Sequence, residues 1–167
     1  PVRMGFAGLF FSIFLRKIFD RDDISIALFG SFYATCAWSF GYMWNVMWLD
    51  CIVLAPVIIW GLEKLVNEGL SRLYCLTLAL AILSNYYICI MICIFLVFYF
   101  FILLIGRDPA AEDTSKPIVF PFLCKIRSFY GKALLRFGVY SLLAGGMSAI
   151  LLLPEIAALR FTEFTAF

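Results

Sequence analysis

Of the 167 residues, 65% are hydrophobic and only 14% are charged, too much apolar surface for one soluble core to hide, so lipid is the solvent expected for most of the chain. A net charge of +2, with its cations scattered, excludes the concentrated basic face of a nucleic-acid binder. With no histidine, histidine triads and zincin motifs are excluded within the chain, leaving Asp, Glu, Lys, Tyr or Cys as acids and bases.

The elements predicted in chain order are helices. The first runs from about Met4 to Phe19 and closes on the charged run Arg16 to Asp23, with Arg16 and Lys17 placed to snorkel. The second, Ile24 to Met43, has no charge and is about 30 Å long as a helix, which matches the hydrocarbon thickness. Its Gly30, Ala34, Ala37 and Gly41 form a small-residue face for close helix approach. The third helix spans about Leu49 to Val66 with a bend expected at Pro56.

The apolar run Leu73 to Gly106 is too long for one crossing and is divided at Ser84-Asn85-Tyr86-Tyr87. The two resulting helices cover about Leu73 to Leu83 and Ile88 to Ile105. From Arg107 onward Pro109, Pro117 and Pro121 mark the one substantial loop, residues 107–130, with Ile118 to Tyr130 expected along the membrane surface. The last helix, about Lys132 to Leu153, carries Gly138, Gly145, Gly146 and Ser148 for close packing and ends at Pro154-Glu155. Residues 1–167 thus read as part of one all-α polytopic transmembrane bundle of about six spans. Starting at Pro1 and stopping just after a helix, it looks like a piece of something longer.

If the first helix ends in the cytoplasm, eleven of the thirteen Lys and Arg residues fall inside, and only Arg3 and Arg160 fall outside. Residues 44–50, 84–87 and 154–167 then share the extracytoplasmic face, and 107–130 is cytoplasmic. On the outer face, Asp50 reads either as a helix cap or as a desolvated carboxylate tuned for hydrogen bonding or proton transfer. Trp44 and Trp48 are interfacial anchors or stacking surfaces for a sugar. Asn45 and Asn85 bond either the local backbone or a ligand hydroxyl. Tyr86 and Tyr87 lean to anchors, and Glu155 to a solvated or capping role.

The six cysteines show no Cys-x-x-Cys pair and read as small packing residues. No phosphate loop or metal-ligand motif is present, so no cofactor is evident; Asp50 and Glu155 would share a divalent ion only if the fold joined them.

The run Tyr42 to Asp50 (Tyr-Met-Trp-Asn-Val-Met-Trp-Leu-Asp), followed by Gly61-Leu-Glu-Lys-Leu65 and Leu80 to Ile88 (Leu-Ala-Ile-Leu-Ser-Asn-Tyr-Tyr-Ile), resembles the bacterial YfhO-type membrane protein family. Gly5 to Leu9, Leu15-Arg16-Lys17 and Leu151 to Pro154 are similar as well. The resemblance implies a GT-C type glycosyltransferase of the bacterial cytoplasmic membrane. Such an enzyme passes a sugar from a polyprenyl-phosphate carrier to a cell-wall polymer such as lipoteichoic acid. It also implies that the principal catalytic Asp lies upstream of Pro1, so that this piece alone is incomplete and inactive. Asp50 then becomes an auxiliary candidate, with Asn45, Trp48, Asn85, Tyr86 and Glu155 around the substrate. A transporter or lipid-linked-sugar flippase and a non-catalytic membrane scaffold are the rival readings.

Overall fold

The computed structural model describes residues 2–42, 44–106 and 122–164, without the side chains of residues 46, 122–130, 155, 156, 159 and 161–164. All regular elements among the described residues are helical, as expected. They are α1 (Val2–Phe19), α2 (Ile24–Ala34), α3 (Ala37–Gly41), α4 (Val46–Asn67), α5 (Arg72–Ser84), α6 (Tyr86–Ile105), α7 (Phe122–Met147) and α8 (Ala149–Phe164). Of the six expected crossings, Ile24–Gly41 and Tyr86–Ile105 are long and apolar enough on length and composition alone; Arg72–Ser84 is apolar but shorter.

Helix α4 is the hub, touching α1, α5, α6 and α7. Its inward residues Ile58, Leu62 and Leu65 join Tyr74 and Leu78 of α5, Leu96 and Phe100 of α6 and Ala144 of α7 in the core. The α4–α5 contact is close because Gly61 has no side chain: a Cβ there would fall 2.8 Å from the backbone of Tyr74. Helices α1 and α2 meet in the same manner, since a Cβ on Gly8 or on Gly30 would lie 2.9 Å from the other's carbonyl oxygen.

Several predicted features are corrected. The helix expected from Ile24 to Met43 is broken at Thr35 and Cys36. There the hydroxyls of Ser31 and Thr35 donate to the carbonyls of Ala27 and Ser31, both at 2.8 Å, and such back-bonding offers the backbone an alternative to continued helix. The small-residue face therefore works only at Gly30 and Ala34, while Gly41 meets nothing within 4 Å. The third helix starts at Val46 rather than Leu49.

Within the predicted loop 107–130, residues 107–121 lie outside the described residues, but Phe122 onward is helical. Pro154 does not end a helix. The interruption falls at Ser148, whose buried hydroxyl lies 3.0 Å from the carbonyl of Ala79 and 3.1 Å from that of Ala144, and α8 continues through Pro154 to Phe164. Among the described residues, nothing lies within 4 Å of where a Cβ on Gly138, Gly145 or Gly146 would stand, so they make none of the close packing expected of them there.

Pro56 lies fully buried inside α4 and has no N–H to give the carbonyl of Ile52 one turn earlier. In lipid no water would make up that loss. The hydroxyl of Tyr33, on α2, donates to the Ile52 oxygen at 2.8 Å and fills the gap.

Tyr33→Phe is expected to lower unfolding stability of the intact protein in detergent by about 1–3 kcal/mol, the penalty for an unsatisfied buried acceptor. Adding Pro56→Ala restores an N–H opposite Ile52 and is expected to recover part of that loss; equal losses in single and double variants would refute the pairing.

Candidate functional site

The N-termini of α1 and α4, the short helix α3 and the α5–α6 junction meet at one end of the bundle. The thiol of Cys51, in the second turn of α4, lies 3.6 Å from the carbonyls of both Ala81 and Asn85, which fixes α4 against that junction. Here the side chains singled out in the sequence take definite places.

Asp50 is not a helix cap. With α4 starting at Val46 it sits in the second turn, and its Oδ1 pairs with Nε of Arg3 on α1 at 2.8 Å. The two side chains are 33% and 43% exposed, so water reaches the pair and tempers its strength. Trp48 lies between three other rings: Tyr42 at 5.0 Å, Trp38 at 6.1 Å and Tyr87 at 6.5 Å between centroids. Trp38 and Tyr42 themselves lie 4.4 Å apart. Four rings from α3, the turn after it, α4 and α6 thus form one aromatic group at the end of α4 that also carries Asp50.

The two tryptophans separate in role. Trp44 is 74% exposed and donates its indole N–H to the carbonyl of Gly41, as an interfacial anchor does. The two asparagines separate as well. Asn85 caps α6, its Oδ1 accepting the N–H of Ile88 at 3.0 Å, whereas Asn45 occupies the cap position of α4 without a side-chain cap bond. Tyr86 is half-buried at the start of α6.

The side chain of Glu155 lies outside the described residues, and with it any meeting with Asp50. Among the described residues no group of three or more acidic, Cys or His side chains is arranged to hold a metal. Cys36, Cys51, Cys75, Cys89 and Cys93 are free thiols at helix contacts.

A groove of about 460 Å³ opens between α1 and α2, lined by Met4, Gly5, Gly8, Ser12 and Thr35 among others, starting next to Arg3 in sequence. The end of the bundle therefore combines a carboxylate, a guanidinium, stacked rings and an apolar cleft. Sequence reasoning passed over Trp38 and the pairing role of Arg3. The signal for the first was available in the four-residue spacing of Trp38 and Tyr42, but nothing local links Arg3 to a residue 47 positions on.

Residues 1–166 match the family described as bacterial membrane protein YfhO. The chain belongs to that family. No curated protein and no solved structure matches it. Membership of the YfhO family accords with the lipid-facing exposure of large apolar side chains such as Phe98 (66%) and Ile102 (62%) on α6.

In this YfhO-family chain, Asn85→Ala is expected to cost about 1 kcal/mol of stability through loss of the α6 cap, and Asn45→Ala much less. Denaturant titration of the intact protein in micelles separates the two; equal costs would contradict the capping assignment.

Proposed function

We propose that this chain forms part of a multi-pass bacterial membrane glycosyltransferase that moves a sugar from a polyprenyl-phosphate carrier to an extracytoplasmic cell-envelope acceptor such as lipoteichoic acid. The observations that carry the reading are the Arg3–Asp50 pair and the four rings centred on Trp48, both at the same end of α4. Family resemblance supports the reaction class, and the site supports it chemically.

Sugar transfer breaks the bond from the anomeric carbon to phosphate oxygen and forms one to the acceptor oxygen, whose proton passes to a base. The phosphate leaves on the lipid, and its charge needs a cationic or N–H partner. Indole faces stack on the C–H surface of a sugar, a guanidinium pairs with phosphate, and a carboxylate takes a hydrogen bond from a hydroxyl. Asp50 serves in this scheme as an orienting, auxiliary carboxylate, and Trp48 as the floor of the sugar site, with Asn45, Asn85 and Tyr86 at its edge.

Six crossings would place residues 44–50, 84–87 and 154–167 outside. Charge supports this orientation: Arg16, Lys17 and Arg21 follow or end α1, Lys64 and Arg72 flank the α4–α5 turn, and Arg136 lies against that turn, all toward the end opposite Arg3.

Membranes carrying the intact protein, supplied with labelled polyprenyl-phosphate sugar and acceptor, test the reading. Asp50→Asn and Trp48→Ala are expected to lower transfer roughly ten- to hundredfold at unchanged protein level, as misplacement of reacting groups does. Full transfer by both variants would remove this site from the reaction. Passage of the donor across the bilayer without transfer would identify a flippase instead.

A further inference from the structure

The far end of the α1–α2 pair, away from Arg3, holds a pocket of about 380 Å³ lined by residues of both helices and of the turn between them. Its lining is graded. Arg21 and Asp23 stand at the turn, Phe19 and Ile26 follow on the two helices, and Phe11 and Phe29 lie deeper. The stretch from Phe19 back to Phe11 is about 12 Å along α1. Charge therefore occupies one end of the pocket and apolar groups the other, the order an amphiphile has at the edge of the hydrocarbon layer.

The two lining charges are unpaired. Asp23 holds the cap position of α2, yet its carboxylate makes no cap bond, and the N–H of Ile26 goes to its backbone carbonyl at 3.0 Å. The neighbouring Asp22 pairs with Arg16 instead. Among the described residues neither Arg21 nor Asp23 has a side-chain hydrogen bond or an ion pair, with each other or with a third group. A cation and an anion thus line one pocket without neutralising each other.

The surroundings add no net charge. Arg16, Lys17 and Arg21 are balanced by Asp20, Asp22 and Asp23, and α2 carries no charged side chain. An anionic headgroup would gain from Arg21 and lose to Asp23. A headgroup with both signs gains from each.

We propose that this pocket binds an ethanolamine glycerophospholipid, its phosphate at Arg21, its ammonium donating to Asp23 and an acyl chain along Phe19, Ile26, Phe29 and Phe11. A primary ammonium offers three N–H donors to the carboxylate, whereas the trimethylammonium of a choline lipid offers none. The chain end packs against Phe11, whose ring stacks on Tyr33 at 4.4 Å, so the lipid supports the ring through which α2 reaches Ile52. This lipid site is separate from the aromatic end and does not depend on the reaction assigned there.

The test uses the intact protein with Phe29→Trp as a reporter, or Phe19→Trp should the first not fold, reconstituted in phosphatidylcholine vesicles. These contain a graded fraction of brominated phosphatidylethanolamine, brominated phosphatidylglycerol or brominated phosphatidylcholine. Quenching of the added indole, taken as the difference from the parent protein, is expected to reach its half-maximum at an about fivefold lower fraction of the ethanolamine lipid than of the other two, the scale of one solvent-exposed charge pair. Asp23→Asn is expected to erase the preference over the choline lipid and to turn selection toward phosphatidylglycerol, because Arg21 remains. Asp20→Asn removes the same charge from the turn outside the pocket lining and is expected to leave the preference intact. Equal quenching by the three lipids, selection of phosphatidylglycerol by the unsubstituted turn, or a preference that survives Asp23→Asn or is lost as fully with Asp20→Asn would each overturn the proposal.

Discussion

A backbone carbonyl in lipid must find a donor inside the protein, and the buried proline of α4 creates one that its own helix cannot serve. Pro56 leaves Ile52 without its usual N–H, and Tyr33 supplies an O–H from α2 at 2.8 Å. That bond ties the N-terminal helices to the hub. The Tyr33 ring also stacks on Phe11 of α1, with centroids 4.4 Å apart and planes within 10°. One side chain thus joins three helices, and the position of α1 relative to α4 decides whether Arg3 can reach Asp50.

The fold divides energetically along this line. Helices α4 to α7 share the apolar core, with Ile58, Leu62, Tyr74 and Phe100 essentially inaccessible, whereas only Ala7 is buried among the apolar side chains of α1 and none is among those of α2. In membranes apolar surface gains little from leaving lipid, so the α1–α2 pair relies on close backbone approach at Gly8 and Gly30 and on polar bonds to α4. The pair is held by few contacts of high individual weight. Tyr33–Ile52 and Arg3–Asp50 are two such bonds to α4, one part-buried in the contact and one at its wet end.

Much of this was legible in the sequence. Hydrophobic run length and the polar tip at Asn85 were enough to separate α5 from α6, because an asparagine with an acceptor oxygen is a natural helix start and the structure uses it as one. The break at Thr35 was hidden, since Ser31 and Thr35 bond back to their own helix and neither is a glycine or proline. Pro154 misled in the opposite direction. The interruption is instead at Ser148, whose hydroxyl bonds a carbonyl on another helix, a partner 69 residues away that no local rule reports. Of the two readings of Asp50, the capping one fails for a similar reason: starting α4 three residues late turns a second-turn carboxylate into a cap, although charge counting puts Arg3 and Asp50 on the same face.

The same distinction explains why the aromatic group emerges only in three dimensions. Each ring taken alone fits the interfacial belt, and for Trp44 that reading is sufficient. Belt residues spread around a bundle, however, because each seeks the headgroup level independently. Trp38, Tyr42, Trp48 and Tyr87 instead converge from separate elements onto one another, and they do so where the only two opposite charges of this end of α1 and α4 are paired. The α2–α3 break makes this convergence feasible: the new direction taken at Cys36 starts the short helix that carries Trp38 toward Trp48. A local failure of helix continuity, accompanied by hydroxyl back-bonding on α2, thereby shapes the wall of the candidate sugar site on α4.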